Sequence, residues 1–163
     1  MLEQAMAGQY YTSDNLQAIN SVGYLMKRCG ILLTQIAERR FETQPISFTQ
    51  WIILIRLTQQ EHITPTELTE HLGHDMGALT RIVDDLQSKG LVVRGRSETD
   101  RRAVQISATA EGRHLALETK KFVVDLANDL VEPYTAAETD LMISLLQRLL
   151  VHMEGISERK ARA

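Results

Sequence analysis

At 163 residues, with 44% hydrophobic content and a net charge of −3, the chain suits one domain, or one domain plus an oligomerisation module, and is too apolar for wholesale disorder. The slightly acidic balance excludes a generic polyanion binder, so any nucleic-acid contact must come from a local basic patch. No signal peptide is visible and nothing approaches the ~18 continuous apolar residues of a membrane span, which predicts a soluble, cytoplasmic protein with no membrane contact.

In chain order, residues 1–13 read as a flexible tail. From Asp14, the residues Leu16, Ile19, Val22, Met26, Cys29, Leu33 and Ile36 recur at helical spacing and predict a long amphipathic helix ending near Phe41. Gly23 and Gly30 lie within it, either as marks of close helix contact or as tolerated glycines. Cys29 is the single cysteine, so no intramolecular disulfide forms. Its place on the apolar stripe predicts a buried, inert thiol; a redox sensor is the alternative. Pro45 ends the element, and Ser47 or Thr49 caps the next helix, in which Trp51 reads as a core anchor.

Thr64-Pro65-Thr66-Glu67 is a capping box with proline at the first helical position. The short helix it opens ends at Gly73-His74-Asp75, where Gly73 supplies a permissive backbone and Asp75 caps a second helix. That second helix carries Leu79, Ile82, Val83 and Leu86 on one face and closes at Lys89-Gly90. Two helices joined by a short glycine-containing turn form a helix-turn-helix. Two β-branched runs of strand length come next, Leu91–Arg94 and Val104–Ser107, around a polar tip. Between 88 and 102, Lys89, Arg94, Arg96, Arg101 and Arg102 stand against Glu98 and Asp100. A hairpin with a basic tip beside a helix-turn-helix is a wing.

Thr109 then caps a long helix with Leu115, Phe122, Leu126 and Leu130 in a stripe, interrupted at Pro133. A second capping box, Thr135 to Glu138, opens a helix with Leu141, Leu145, Leu149 and Met153 four residues apart. The expected architecture is mainly α with a small β-hairpin: a winged helix-turn-helix over 46–112, flanked by helical dimerisation segments at 14–45 and 113–155, with tails at 1–13 and 156–163. The flanking stripes exceed what so small a winged unit can cover, which predicts a homodimer, a monomeric helical cap being the alternative.

Enzyme chemistry finds no foothold. The five histidines show no metal-ligand spacing, and His71 and His74 straddle the Gly73 turn. Asp84 and Asp85 are adjacent, about 100° apart on a helix, and suit a solvated face better than an acid/base pair. Neither a phosphate loop nor a nucleophile turn occurs. No catalytic residue, metal or cofactor is expected.

DNA binding has a mechanism. Burying the apolar face of the second helix turns Gly77, Ala78, Thr80 and Arg81 toward solvent or the flanks, and small residues there let its N-terminal end approach a major groove. Arg81 either forks onto guanine, grips a phosphate, or pairs with Asp84 or Asp85 on the surface. Thr64 and Thr66 can offer N–H and hydroxyl groups to phosphate. In the wing, Asp100 can hold the neighbouring arginines so that one enters the minor groove.

The run from Asp75 through Val92, with Gly77-Ala78-Leu79-Thr80-Arg81 at its heart, then Asp100-Arg101-Arg102 and Thr109-Ala110-Glu111-Gly112, resembles the MarR family of bacterial transcriptional regulators. The resemblance implies a dimer built from the terminal helices, a palindromic double-stranded operator, and repression relieved by a small aromatic carboxylate. The family's Asp-x-Arg wing motif is matched by Asp100 and Arg102. The DNA-contacting set is then Thr64, Thr66, Asp75, Gly77, Ala78, Thr80, Arg81, Arg96, Asp100, Arg101 and Arg102. The effector set implied by the family arrangement is Arg28, Pro65, Thr80 and Arg94. Several relatives carry a basic residue where Asp85 stands here. A winged-helix module that binds protein partners instead of DNA is the alternative of another class.

Overall fold

The computed structural model describes residues 10–73, 75–96 and 104–161. Its first long helix starts later than the periodicity predicts. Helix α1 spans Val22–Phe41, capped by Ser21, whose hydroxyl accepts from the Tyr24 amide at 3.3 Å. The stretch ahead of it is a knot of polar side chains around a 3₁₀ turn at Ala18–Asn20. Asn20 accepts from the Gln17 amide at 2.9 Å and donates to the Asn15 carbonyl at 2.8 Å. The Tyr11 hydroxyl donates to the Asn20 carbonyl at 2.8 Å and accepts from the Val22 amide at 3.1 Å. Side chains that offer the backbone local partners compete with a helix, and here they win over the apolar spacing of Leu16 and Ile19.

Helix α2 (Phe48–Gln59) opens on a capping box of Ser47 and Gln50. The Glu38 carboxylate of α1 accepts from the Phe48 and Thr49 amides at 3.0 and 3.1 Å and from the Thr49 hydroxyl at 2.8 Å. A carboxylate on the free amides of a helix start is favourable both as acceptor and as charge. Helices α3 (Pro65–Leu72) and α4 (Met76–Ser88) come next, joined through Gly73 at φ 65°. Strands β1 (Val92–Arg96) and β2 (Val104–Ala108) pair antiparallel, Val92 opposite Ala108 and Arg96 opposite Val104. The pairing runs outward to Arg96, beyond the expected end at Arg94. Ile63 adds a bridge to Ile106, its amide and carbonyl both paired at 3.0 and 2.9 Å, so the loop before α3 joins the hairpin's flank.

The helix expected from Thr109 to Pro133 is two helices, α5 (Ala110–Glu118) and α6 (Lys120–Val131). The break falls at Thr119, a buried residue whose hydroxyl bonds back to the Leu115 carbonyl at 2.6 Å. Such back-bonding competes for the carbonyl and bends helices. Helix α7 runs from Ala136 through Ala161, past the expected end, with Arg159 bonded to the Gly155 carbonyl at 2.9 Å. Cations in a last turn suit its partial negative charge.

The described residues fall into two compact units, one ending at Thr119 and one starting at Lys120. The first holds nearly all the core: Ile46, Ile53, Leu54 and Leu57 meet Leu68, Leu79, Val83, Leu86, Val92 and Ile106, all within a few per cent of full burial. Trp51 is buried as expected, and its indole N–H donates to the Ala116 carbonyl at 2.9 Å, tying α2 to α5. Gly112, in the first turn of α5, sits so close to β1's approach that a Cβ there would stand 2.0 Å from the Leu91 carbonyl oxygen. In the second unit Leu126 is buried, but among the described residues of α7 none is. Cys29 is exposed in the single chain, contrary to the buried thiol its stripe predicts, because that face of α1 points away from the core of its own unit.

Candidate nucleic-acid interface

The reading end of α4 is built by its caps. Asp75 accepts from the Ala78 amide at 2.9 Å, capping the helix that starts at Met76. Leu79, Val83 and Leu86 are buried and Ile82 half-buried, so Met76, Gly77, Thr80 and Arg81 are left exposed, with Ala78 at the margin. The Thr80 hydroxyl donates to the Met76 carbonyl at 2.8 Å, leaving its methyl and the oxygen lone pairs for an outside partner. Met76, which the expected set does not contain, is 47% exposed beside these residues. Its signal is present in the sequence: it is an apolar residue at the first helical position, outside the buried i, i+3, i+4, i+7 stripe.

Two of the adjacent surface residues are not free. Asp84 pairs with Arg94 of β1 at 2.6 Å, and Arg94 also donates to the Gln87 side chain at 3.1 Å and the Thr80 carbonyl at 3.5 Å. Asp85 pairs with Lys89 at 2.7 Å and accepts from the side-chain amide Nε2 of Gln50 in α2. Gln50 is itself buried, and its side-chain Oε1 accepts from the Ser47 backbone amide at 3.0 Å and the Lys89 ammonium at 3.3 Å. The Lys89 and Gln50 hydrogen bonds hold the Asp85 carboxyl below its usual range. Among the described residues the ion pairs of the two carboxylates near Arg81 are Asp84 with Arg94 and Asp85 with Lys89.

Elsewhere the expected residues divide. At the start of α3, Thr64 is spent on its own box. Its hydroxyl and amide both donate to Glu67, at 2.8 and 2.7 Å, and the hydroxyl accepts from the Glu67 amide at 3.2 Å. Thr66 is exposed one turn-step further on. Arg96 is exposed at the outer end of β1. Asp100, Arg101 and Arg102, and His74 in the turn, lie outside the described residues. Of the four effector candidates, Thr80 and Arg94 are brought together, the Arg94 guanidinium donating to the Thr80 carbonyl at 3.5 Å; Pro65 opens α3 and Arg28 is exposed on α1. The open cleft of about 1180 Å³ along α1 is lined instead by Lys27, Ile31, Thr34 and Arg39 facing Leu72 and Gly73. Among the described residues there is no group of three or more His, Cys, Asp and Glu placed to hold a metal, and no helix long and apolar enough to cross a membrane.

Comparison with known proteins agrees with this arrangement. The MarR family profile matches residues 44–103, which span α2 to the wing. The chain is 30% identical over 140 residues to multiple antibiotic resistance protein MarR of Escherichia coli (strain K12), covering 85% of this chain and 97% of that protein. It is 28% identical over 118 residues to the organic hydroperoxide resistance transcriptional regulator of Bacillus subtilis (strain 168), covering 72% and 78%. Among solved structures, wild-type apo MarR from E. coli superposes with a TM-score of 0.71 at 29% identity, over 80% of this chain and 97% of that one. A mutant of the same protein complexed with operator DNA gives 0.70 at 30% identity, over 81% and 95%. With the helix-turn-helix, the hairpin and these relatives in agreement, the chain belongs to the MarR family of winged-helix transcriptional regulators.

Proposed function

We propose that this protein is a homodimeric repressor that reads a palindromic double-stranded operator through α4 and the wing, and that a small aromatic carboxylate releases it. The observation that carries the DNA reading is the exposed start of α4, where Arg81 is the one long donor and its neighbouring carboxylates are engaged elsewhere. A guanidinium there can fork onto a guanine edge, with Gly77 and Ala78 permitting close approach and Met76 or the Thr80 methyl meeting a thymine methyl. Thr66 and the basic wing, Arg96 with Arg101 and Arg102, supply phosphate and minor-groove contacts. Asp75 acts as the cap that aims the helix, and Asp100 as the holder of the wing arginines. The solved operator complex of the 30% identical E. coli relative supports the same use of the fold.

Dimerisation rests on α1 and α7, whose exposed apolar residues need a second copy to cover them. For the effector, the cleft along α1 offers cations at Lys27 and Arg39 beside the apolar Ile31 and Leu72, the pairing a ring carboxylate requires. An effector of this kind must bind the DNA-free form more tightly, and operator must weaken effector binding by the same factor. Salicylate titrated by calorimetry with and without operator tests this; equal affinity in both removes the allosteric claim. A mobility-shift assay on the DNA upstream of the gene tests the primary reading. A retarded, sequence-specific band is expected, and its absence at micromolar protein leaves the protein-interaction module as the better account.

A further inference from the structure

The two carboxylates on the far half of α4 clamp that helix from two sides. Asp84 is held by Arg94 of β1, and Asp85, the next residue and about 100° around the helix, is held by Gln50 of α2. The α2 clamp is rooted further back. Gln50 belongs to the capping box at the start of α2, whose first two amides are gripped by Glu38 of α1. Turning α4 about its axis would disturb both clamps, which hold it from β1 and from α2. The register of Arg81, one turn before Asp85 on the same face, moves with that rotation.

We propose that Asp85 is a positioning residue of the recognition helix: through Gln50 it fixes the rotation of α4, and with it the direction in which Arg81 and Thr80 meet a base edge. This rests on the DNA reading above and adds to it a role for a negative charge on a surface that faces a polyanion. Simple electrostatics predicts that this carboxylate only repels DNA. Positioning predicts that losing its hydrogen bond harms binding more than losing its charge helps. Lys89 takes part by holding both Asp85 and Gln50, at 2.7 and 3.3 Å.

Asp85→Asn and Asp85→Ala separate the two, because they change net charge equally. Asparagine keeps an acceptor for Gln50, whereas alanine does not and is the stronger helix former, so any loss with alanine is not a loss of helix. Operator affinity is expected to be about tenfold weaker for Asp85→Ala than for Asp85→Asn, as for contacting residues in one network, with equal salt slopes. In a Gln50→Ala background the difference between the two should vanish. Hydrogen exchange gives a DNA-free reading: the amides of Gln87 and Ser88 should exchange faster in Asp85→Ala than in Asp85→Asn. Equal operator affinity of the two variants, both above that of the parent, overturns the proposal in favour of plain repulsion. If the parent binds no operator, the DNA reading fails, and the exchange rates still decide whether Asp85 positions α4.

Discussion

The winged unit and α7 are built from similar residues and use them in opposite ways. Between Ile46 and Ala116 the leucines, isoleucines and valines of α2, α3, α4 and the hairpin close on one another until most are within a few per cent of full burial. Over its 26 residues, α7 carries Leu141, Leu145, Leu146, Leu150 and Val151 at 50–68% exposure. The stripe on α1 behaves likewise, with Val22, Leu25, Leu32 and Ile36 exposed. Periodicity alone does not distinguish the two cases: a helix with an apolar face states that it needs cover, not who supplies it. In the winged unit the cover is the same chain. For α1 and α7 the homodimer proposed above would supply it from a second copy.

The most direct way to break this contrast is to charge the α7 face. A fully covered leucine contributes about 1.5–3 kcal/mol, and each substitution acts twice in a symmetric pair. Leu145→Glu with Leu150→Glu should therefore reduce the sedimenting mass from about twice 18.4 kDa to 18.4 kDa, while the Trp51 environment in the winged unit stays native. Cys29, on the α1 stripe, should react slowly with a thiol reagent in the parent and quickly in the variant. A parent that sediments as a monomer and still binds operator tightly would remove the dimer reading altogether.

Glycines sharpen the same comparison, at a smaller scale. Gly112 lies in the winged unit, where a Cβ would collide with the Leu91 backbone oxygen at 2.0 Å and approach the Leu54 side chain at 3.2 Å. Gly112→Ala should cost about 1–3 kcal/mol in urea or thermal unfolding, because a backbone carbonyl yields less readily than a side chain. Around Gly23 and Gly30 of α1, the single chain offers nothing within 4 Å. If the chain alone decided, Gly30→Ala would stabilise by up to about 1 kcal/mol. Destabilisation together with a weaker dimer would instead show that a second copy approaches α1 closely at that point.

These positions also show what is legible in the sequence. The caps at Thr64, Asp75, Thr109 and Thr135 are readable because each is a local rule over four residues, and each is found; of the two candidates Ser47 and Thr49, Ser47 is the cap. The helix-turn-helix, the hairpin and the buried Trp51 follow from spacing and composition in the same way. The illegible features depend on contacts distant in sequence or on competing local partners. The polar knot around Asn20 displaces the start of α1, and the Thr119 back-bond splits α5 from α6. Lys89 is a local partner of Asp85, but Gln50 lies 35 residues from it, so that contact has no local sign. The ion pair of Arg94 with Asp84, ten residues away, likewise has no sign in the residues near either one.

The polar surface of α4 should behave as a third kind of region, uncovered for a ligand rather than for a second copy. Arg81→Ala is expected to cost about 1–3 kcal/mol on the preferred operator and to relax sequence preference, if the guanidinium reads a base. Arg96→Ala should weaken all sequences more evenly and flatten the log–log salt slope by about 0.9, the signature of one lost phosphate contact. Both residues are exposed, so melting temperatures should hardly move. Unchanged affinity and slope for both variants would take this face out of the interface.

The smallest expected effect compares two identical motifs in the two regions. Glu67 at α3 and Glu138 at α7 close equivalent capping boxes, and the Thr64 and Thr135 backbone and hydroxyl donors hold both carboxyls below the usual value of 4.5. A depressed folded-state pKa means that the unfolded chain binds more protons in the window between the two values. The resulting stability is fully present above about pH 4.5 and is lost as pH falls through the folded-state value. Glu67→Gln retains an acceptor for the Thr64 amide but cannot titrate, so its melting temperature should fall less than the parent's between about pH 6 and about pH 3.5. Glu138→Gln should show the same flattening only if α7 unfolds in the same cooperative transition as the winged unit. A flattened acid profile for Glu67→Gln alone would mean that the two units melt separately, and sedimentation at the same acid pH would then show whether the α7 contacts outlast the winged unit.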